Sequence, residues 1–147
     1  MNLPSIPEEE YISDILNIAD EFYDASEFLL KEALSSRFTT EFLDPAGYLA
    51  SHAAELYIRA LITGYTGYLH YEKLKNMNHN INKMLNILIS VDNEAVSLKT
   101  PVERINKFSG DKVRYSPVIE NPEVQEFGSD DVKLVKIIRG YAHSKMY

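Results

Sequence analysis

An acid stands in the middle of the most alanine-rich stretch of this chain, and that placement constrains the fold more than any other feature. Ala46, Ala50, Ala53, Ala54 and Ala60 fall within residues 45–63, and Glu55 lies between Ala54 and Leu56. Asp44-Pro45 reads as a helix start, an N-cap carboxylate with proline in the first helical position, and Gly64 as the stop. Small side chains let a neighbouring helix approach closely, so this segment is expected to be the central helix of a bundle. A carboxylate buried there is costly unless it is paired. Arg59, four residues on, and His52, one turn before, are placed to pair with it along the helix. Two readings of this group stay open: a tie that fixes the register of the bundle, and part of a polar pocket.

The flanking sequence predicts more helices. Ile12, Ile15, Leu16, Ala19, Phe22 and Tyr23 recur at three and four, with Glu8, Glu9 and Glu10 in the first turn where acids suit the helix dipole. That helix is expected to start near Pro7 and end within residues 33–36. A third helix opens at Asn78 or Asn80, carries Ile81, Met84, Leu85 and Leu88, and ends by Asp92-Asn93. Thr100-Pro101-Val102-Glu103 reads as a capping box opening a short helix that stops before Gly110. Residues 111–128, with Pro117, Pro122 and Gly128, read as an irregular connection. Ser129 is the expected cap of a last helix, with Asp130 and Asp131 in its first turn and Lys133, Lys136, Arg139 and Lys145 on its polar side. No segment alternates apolar and polar residues as a strand does. The expectation is an all-α fold, an antiparallel up-down bundle of four to five helices, in one domain over residues 1–147. Phe22, Tyr23, Phe28, Leu29 and Leu30 cannot all face one neighbour, which leads us to expect a homodimer.

Composition narrows the function classes. The chain has no cysteine, which excludes disulfides and thiolate metal sites. His52, His70 and His79 are separated by 18 and nine residues, without the spacing of a metal site, so no metal and no cofactor is expected. No stretch approaches the roughly 18 apolar residues of a membrane span. The N-terminus MNLPSIPEEEYI lacks a basic region followed by an apolar one, so no signal peptide is read and a cytoplasmic location is the expectation. The formal net charge is −7, with nine acids and one base in residues 1–32. Such a balance argues against sequence-independent binding of duplex DNA. It leaves room for a local site for an anionic ligand, combining Lys107, Lys112, Arg114 and Tyr115 with Lys133, Lys136 and Arg139, where arginine chelates phosphate and tyrosine stacks on a base. The alternative is ordinary solvated charge offsetting the acidic first helix.

Two motifs together carry a family resemblance. Ala53-Ala54-Glu55-Leu56-Tyr57-Ile58-Arg59-Ala60 is followed by His79-Asn80-Ile81-Asn82-Lys83-Met84-Leu85, and Val113-Arg114-Tyr115-Ser116-Pro117 precedes the last helix. This order resembles the HEPN domain (higher eukaryotes and prokaryotes nucleotide-binding) over roughly residues 45–140. The resemblance implies an all-helical domain that acts on nucleotides or RNA, or that pairs with a nucleotidyltransferase-type protein, as in a toxin–antitoxin-like pair. Nuclease members carry Arg, four to six residues, then His on the last helix. Here only three residues separate Arg139 from His143, and Gly140 lies between them. The resemblance with that departure implies a non-catalytic, dimeric module associated with a nucleotide or single-stranded RNA. The alternative is a metal-independent ribonuclease using Arg139 as phosphate clamp and His143 as general acid or base at a dimer interface. The plainer reading of that pair is a surface arginine near a histidine at a frayed helix end. His79 is expected at the start of the third helix, capping it or touching the loop before it.

Overall fold

The computed structural model describes residues 8–35, 40–67, 79–109 and 127–146, and among them every regular element is a helix. Helices α1 (Glu8–Ser35) and α2 (Thr40–Thr66) form a long hairpin. Helix α3 (Ile81–Val91), a 3-10 turn (Asn93–Leu98), α4 (Lys99–Asn106) and α5 (Ser129–Met146) complete an all-α bundle. Polar ties reveal the helix directions. Ser26 Oγ donates to the Ala46 carbonyl at 2.7 Å, and Tyr57 donates to Asp20 further along, so α1 runs against α2. His79 meets Glu55 and Tyr65 meets Asp92, so α3 runs in the same sense as α2. Arg104–Asp131 and Lys145–Glu94 set α4 and the 3-10 turn against α5.

Helix α2 is central, as its alanines imply. From Ala50 to Thr63 every residue is buried except His52, Leu56 and Arg59, which share one stripe. Alanines 46, 50, 53, 54 and 60 are almost fully enclosed, and Tyr57, Ile58, Leu61 and Ile62 supply the bulk between them. Each of these large side chains contributes about 1.5–3 kcal/mol on burial. Helix α1 disposes of its crowded apolar residues by wrapping into the core. Tyr23 and Leu30 are buried, Phe22 and Leu29 pack half-buried against the core, and Phe28, 61% exposed, and Ile18 are left outside.

Three of the expected helix starts fall elsewhere, as does one stop. Helix α2 begins at Thr40, so Pro45 lies inside it and Asp44 is not its cap. The first four N–H groups of a helix lack intrahelical acceptors, and a proline this close to the start forfeits about one bond. Gly64 does not stop the helix. The turn comes at Gly67, whose φ of 66° and N–H to the Thr63 carbonyl (2.7 Å) close the end. Gly64 serves a close approach instead, since a Cβ there would lie 2.4 Å from Met146 Sδ of α5. Thr100 caps nothing: α4 is fed directly by the 3-10 turn, with Leu98 at its N-cap position and no side-chain cap bond. The capping is supplied upstream, where Asp92 Oδ1 accepts the Glu94 N–H at 3.1 Å. In α5 the first helical carbonyl is that of Gly128, and Asp131 reaches back to the Gly128 N–H at 2.8 Å, so Ser129 is inside the helix rather than its cap. The third helix starts as read, with Asn80 accepting the Lys83 N–H at 3.1 Å and Ile81, Met84, Leu85 and Leu88 buried. Most of the expected connection 111–128 lies outside the described residues.

The glycines give opposite predictions at two sites. A Cβ at Gly140 would meet nothing within 4 Å, so Gly140→Ala is expected to stabilise the protein by about 0.5–1 kcal/mol through helix propensity. A Cβ at Gly47 would lie 3.1 Å from Phe108 Cδ1 and 3.2 Å from Phe127 Cβ, so Gly47→Ala is expected to cost about 1 kcal/mol net as overpacking outweighs propensity. Urea unfolding midpoints of the two variants measure both signs.

Candidate functional site

Two carboxylates on different sides of α2 organise the polar interior. The first is Glu55, whose side chain is 4% exposed. His79 places Nδ1 at 3.0 and 3.1 Å from its two oxygens, Arg59 Nη2 lies at 3.3 Å, and His52 Nδ1 at 3.4 Å. Arg59 and His52 were expected from helical spacing. His79 comes from the turn before α3, held at φ 61°, a left-handed conformation that costs a non-glycine residue about 1 kcal/mol or more. Its ring stays 68% exposed even so. His52 stands edge-on to Phe22 of α1 at 4.6 Å and lies nearly parallel to Tyr48, with centroids 6.4 Å apart. Arg59 Nε is buried with no hydrogen-bond partner. Burial alone would raise the Glu55 carboxyl, but the bonds from His52 and His79 and the charges of His79 and Arg59 outweigh it and hold it below the usual carboxylate range.

The second centre is Asp20 of α1, 23% exposed. Tyr57 of α2 donates its hydroxyl to Oδ1, His143 Nε2 lies 3.0 and 3.1 Å from the two oxygens, and Arg139 Nε donates to Oδ1 at 3.1 Å. Arg139 also sits over the Tyr23 ring at 5.1 Å. The structure thus brings Arg139 and His143 together on one acid. The frayed surface pair is overturned, because α5 continues to Met146 and packs this face against α1 and α2. Burial works to raise Asp20, and the Tyr57 and His143 bonds, with the His143 and Arg139 charges, bring it below its ordinary range. Burial and the same carboxylate push the Tyr57 hydroxyl far up, so it remains a proton donor. Asp20 was read only as one of the acids of the first helix. The signal that could have singled it out is its place on the flank of the apolar stripe, between Ala19 and Tyr23.

Other polar groups have plainer roles. Asp92 accepts from Tyr65 at 3.1 Å and from Tyr141 at 2.5 Å, joining the end of α2 to α5. Asp131 holds Arg104 through Nε (2.7 Å) and Nη2 (3.3 Å). The expected basic cluster is present only in part. Lys107, Lys133 and Lys136 are exposed, Lys133 lies 3.7 Å from Asp130, and Arg139 is turned inward to Asp20. Lys112, Arg114 and Tyr115 lie outside the described residues, as does His70. Among the described residues no group of three or more His, Asp or Glu is arranged to hold a metal ion, and no helix is long and apolar enough to cross a membrane.

Comparison with known proteins returns nothing: no family model matches the chain, and no curated protein and no solved structure is significantly similar to it. The likeness to HEPN domains therefore rests on the motif residues alone.

Both carboxyls are depressed in the folded chain, so their stabilising bonds are complete above the ordinary carboxyl range and are lost as pH falls through the lowered values. Glu55→Gln is expected to cost about 2 kcal/mol at neutral pH, the scale of hydrogen bonds to a charged group. The deficit should shrink as both proteins are acidified, because the parent loses the same charge. Urea unfolding at neutral and acid pH measures it; a deficit independent of pH removes the charge from the explanation.

Proposed function

We propose that this chain is a HEPN-like helical interaction module, non-catalytic and homodimeric, that associates with a nucleotide or single-stranded RNA and pairs with a nucleotidyltransferase-type protein in a toxin–antitoxin-like system. The observation that carries the non-catalytic part is where the charge of Arg139 and His143 goes. A phosphate clamp must offer its cation to the ligand, whereas Arg139 and His143 are both bound to Asp20 of their own chain at about 3 Å. The carboxylate offsets the arginine and repels an incoming phosphate. Exposed Phe28 and Ile18 on α1 and Ile137 on α5 supply apolar surface for association.

The ribonuclease reading keeps one specific support. Arg139 and His143 converge, half-exposed, at a single point with the Tyr57 hydroxyl, and a histidine oriented by a carboxylate is the arrangement of a general base. In that reading Asp20 is the positioning residue of the base.

One experiment separates the two. The purified protein is expected to leave single-stranded RNA intact and to elute as a dimer in size-exclusion chromatography with light scattering. RNA cleavage that Arg139→Ala and His143→Ala abolish would replace the module by the nuclease. A monomer at micromolar concentration would remove the dimer.

A further inference from the structure

Helix α1 carries two apolar seams where a hairpin needs one. Leu16, Ala19, Tyr23, Ser26, Leu30 and Ala33, spaced three and four apart, are buried, and Ser26 ties this seam to α2. The residues one step before them, Ile15, Ile18, Phe22, Ala25 and Leu29, repeat the same spacing about 100° round the helix. They are half-buried, except Ile18, which is 45% exposed. Helix α5 does not cover this second seam. It reaches α1 at Asp20, and Asp20 and Phe22, two residues apart, lie on opposite sides of the helix. The seam borders the half-buried stripe of α2 instead, where the Phe22 and His52 ring centroids are 4.6 Å apart. Because α1 and α2 run oppositely, steps of four and three from that pair bring Ile18 level with Leu56 and Ala25 level with Leu49. The result is an apolar strip two helices wide. One more step round α1 the surface turns acidic: Asp14, Glu21 and Asp24, each one residue before a seam position, are exposed and in no ion pair among the described residues.

We propose that this strip docks a basic amphipathic α-helix of another protein, its apolar residues seated on Ile18, Phe22 and Leu56 and a row of Lys or Arg lying along the acidic edge of α1. The inference rests on the interaction-module reading given above and names the surface and the chemistry of the partner. It gives Ile18 to the second protein and leaves Ile137 of α5 to self-association. An apolar seam of three–four spacing with charge along its flank is how one helix selects another. From Ile15 to Leu29 the seam is about 21 Å long, or four turns, which sets the length of helix it takes. Charge chooses the occupant. A second copy that offered its own α1 would set acid beside acid, which repels. Its α5 offers Lys133 and Lys136 but, of large apolar side chains, exposes only Ile137. No exposed helix face among the described residues therefore combines a full apolar seam with a basic flank, and a helix from a different protein has to supply both.

The test titrates the full chain into a fluorescent synthetic helix about 18 residues long, with leucines at three–four spacing and lysines along one flank, and follows its anisotropy. Two further peptides serve as controls: the same residues in shuffled order, and the ordered helix with glutamate in place of lysine. The ordered lysine helix is expected to bind at micromolar concentration, and neither control to bind. Ile18→Ser, at a surface position, should keep the fold and weaken binding about tenfold, the scale of one apolar side chain left unburied. Reversing the edge with Asp14→Lys and Glu21→Lys should lose the lysine helix and gain the glutamate one. Glu103→Lys, an exposed change of the same charge on α4, should leave binding as it was. Failure of the lysine helix to bind, equal binding of the shuffled peptide, or indifference to Ile18→Ser overturns the proposal. So does a homodimer that Ile18→Ser dissolves, which puts a second copy in the strip. Failure of the wider reading shows separately, as RNA cleavage through Arg139 or a monomeric parent protein.

Discussion

The structure depends on meeting the needs of a helix that is enclosed almost all round. Helix α2 buries thirteen of its residues between Ala46 and Thr63 without an aqueous side to which a charge can retreat, apart from one stripe. An ionised carboxylate in such a place is stable only with bonds from several directions, and Glu55 obtains them from its own helix and from the turn before α3. The consequence is geometric. The start of α3 has to arrive beside the middle of α2, which makes α3 run in the same sense as α2 rather than fold straight back. Tyr65 and Asp92 then meet at the far end. The alanines make the approach possible and the acid makes it specific.

The same device recurs at each other junction. Asp20 joins α1, α2 and α5; Asp92 joins α2, the 3-10 turn and α5; Asp131 joins α4 to the start of α5. Each is a carboxylate that collects donors from elements far apart in the chain, and tyrosine hydroxyls supply several of them. An interior rich in tyrosine and empty of tryptophan has many hydroxyl tips to place. Directing those tips at a few acids satisfies both partners and gives each helix a fixed rotation, which apolar packing alone specifies less sharply.

What was legible in the sequence follows from the range of each signal. The helix starting at Asn80, its four buried residues and the burial of Glu55 were readable because spacing within one helix determines them. The pairing of Arg59 and His52 with Glu55 is also local. His79 and Asp20 were not readable as partners, since their bonds span 24 residues in one case and 37 to 123 in the other. Gly64 misled for a different reason. A glycine is found both where a helix turns and where a neighbouring group packs against the backbone, and here that group is the Met146 side chain at the other end of the chain. Pro45 misled because proline reads as a helix start, whereas α2 begins five residues earlier and gives up one N–H bond at its sixth position.

Charge bookkeeping on the folded chain bears on what it can attract. Arg59, Arg104, Arg139 and Lys145 each donate to an acid of the same chain. Meanwhile Glu10, Asp14, Glu21, Asp24 and Glu32 of α1 remain exposed. All three arginines among the described residues are thus paired with acids of the same chain, and since each pair cancels, the formal net charge of −7 is left to the other groups. A polyanion approaching from afar meets repulsion, so long-range steering by positive potential cannot drive its capture. Recognition of a phosphate by this chain has to be short-range. It would have to use a half-buried cation, yet Arg59 shares Glu55 with two histidines and Arg139 shares Asp20 with a histidine and a tyrosine, so a phosphate has to compete with an internal carboxylate for either one.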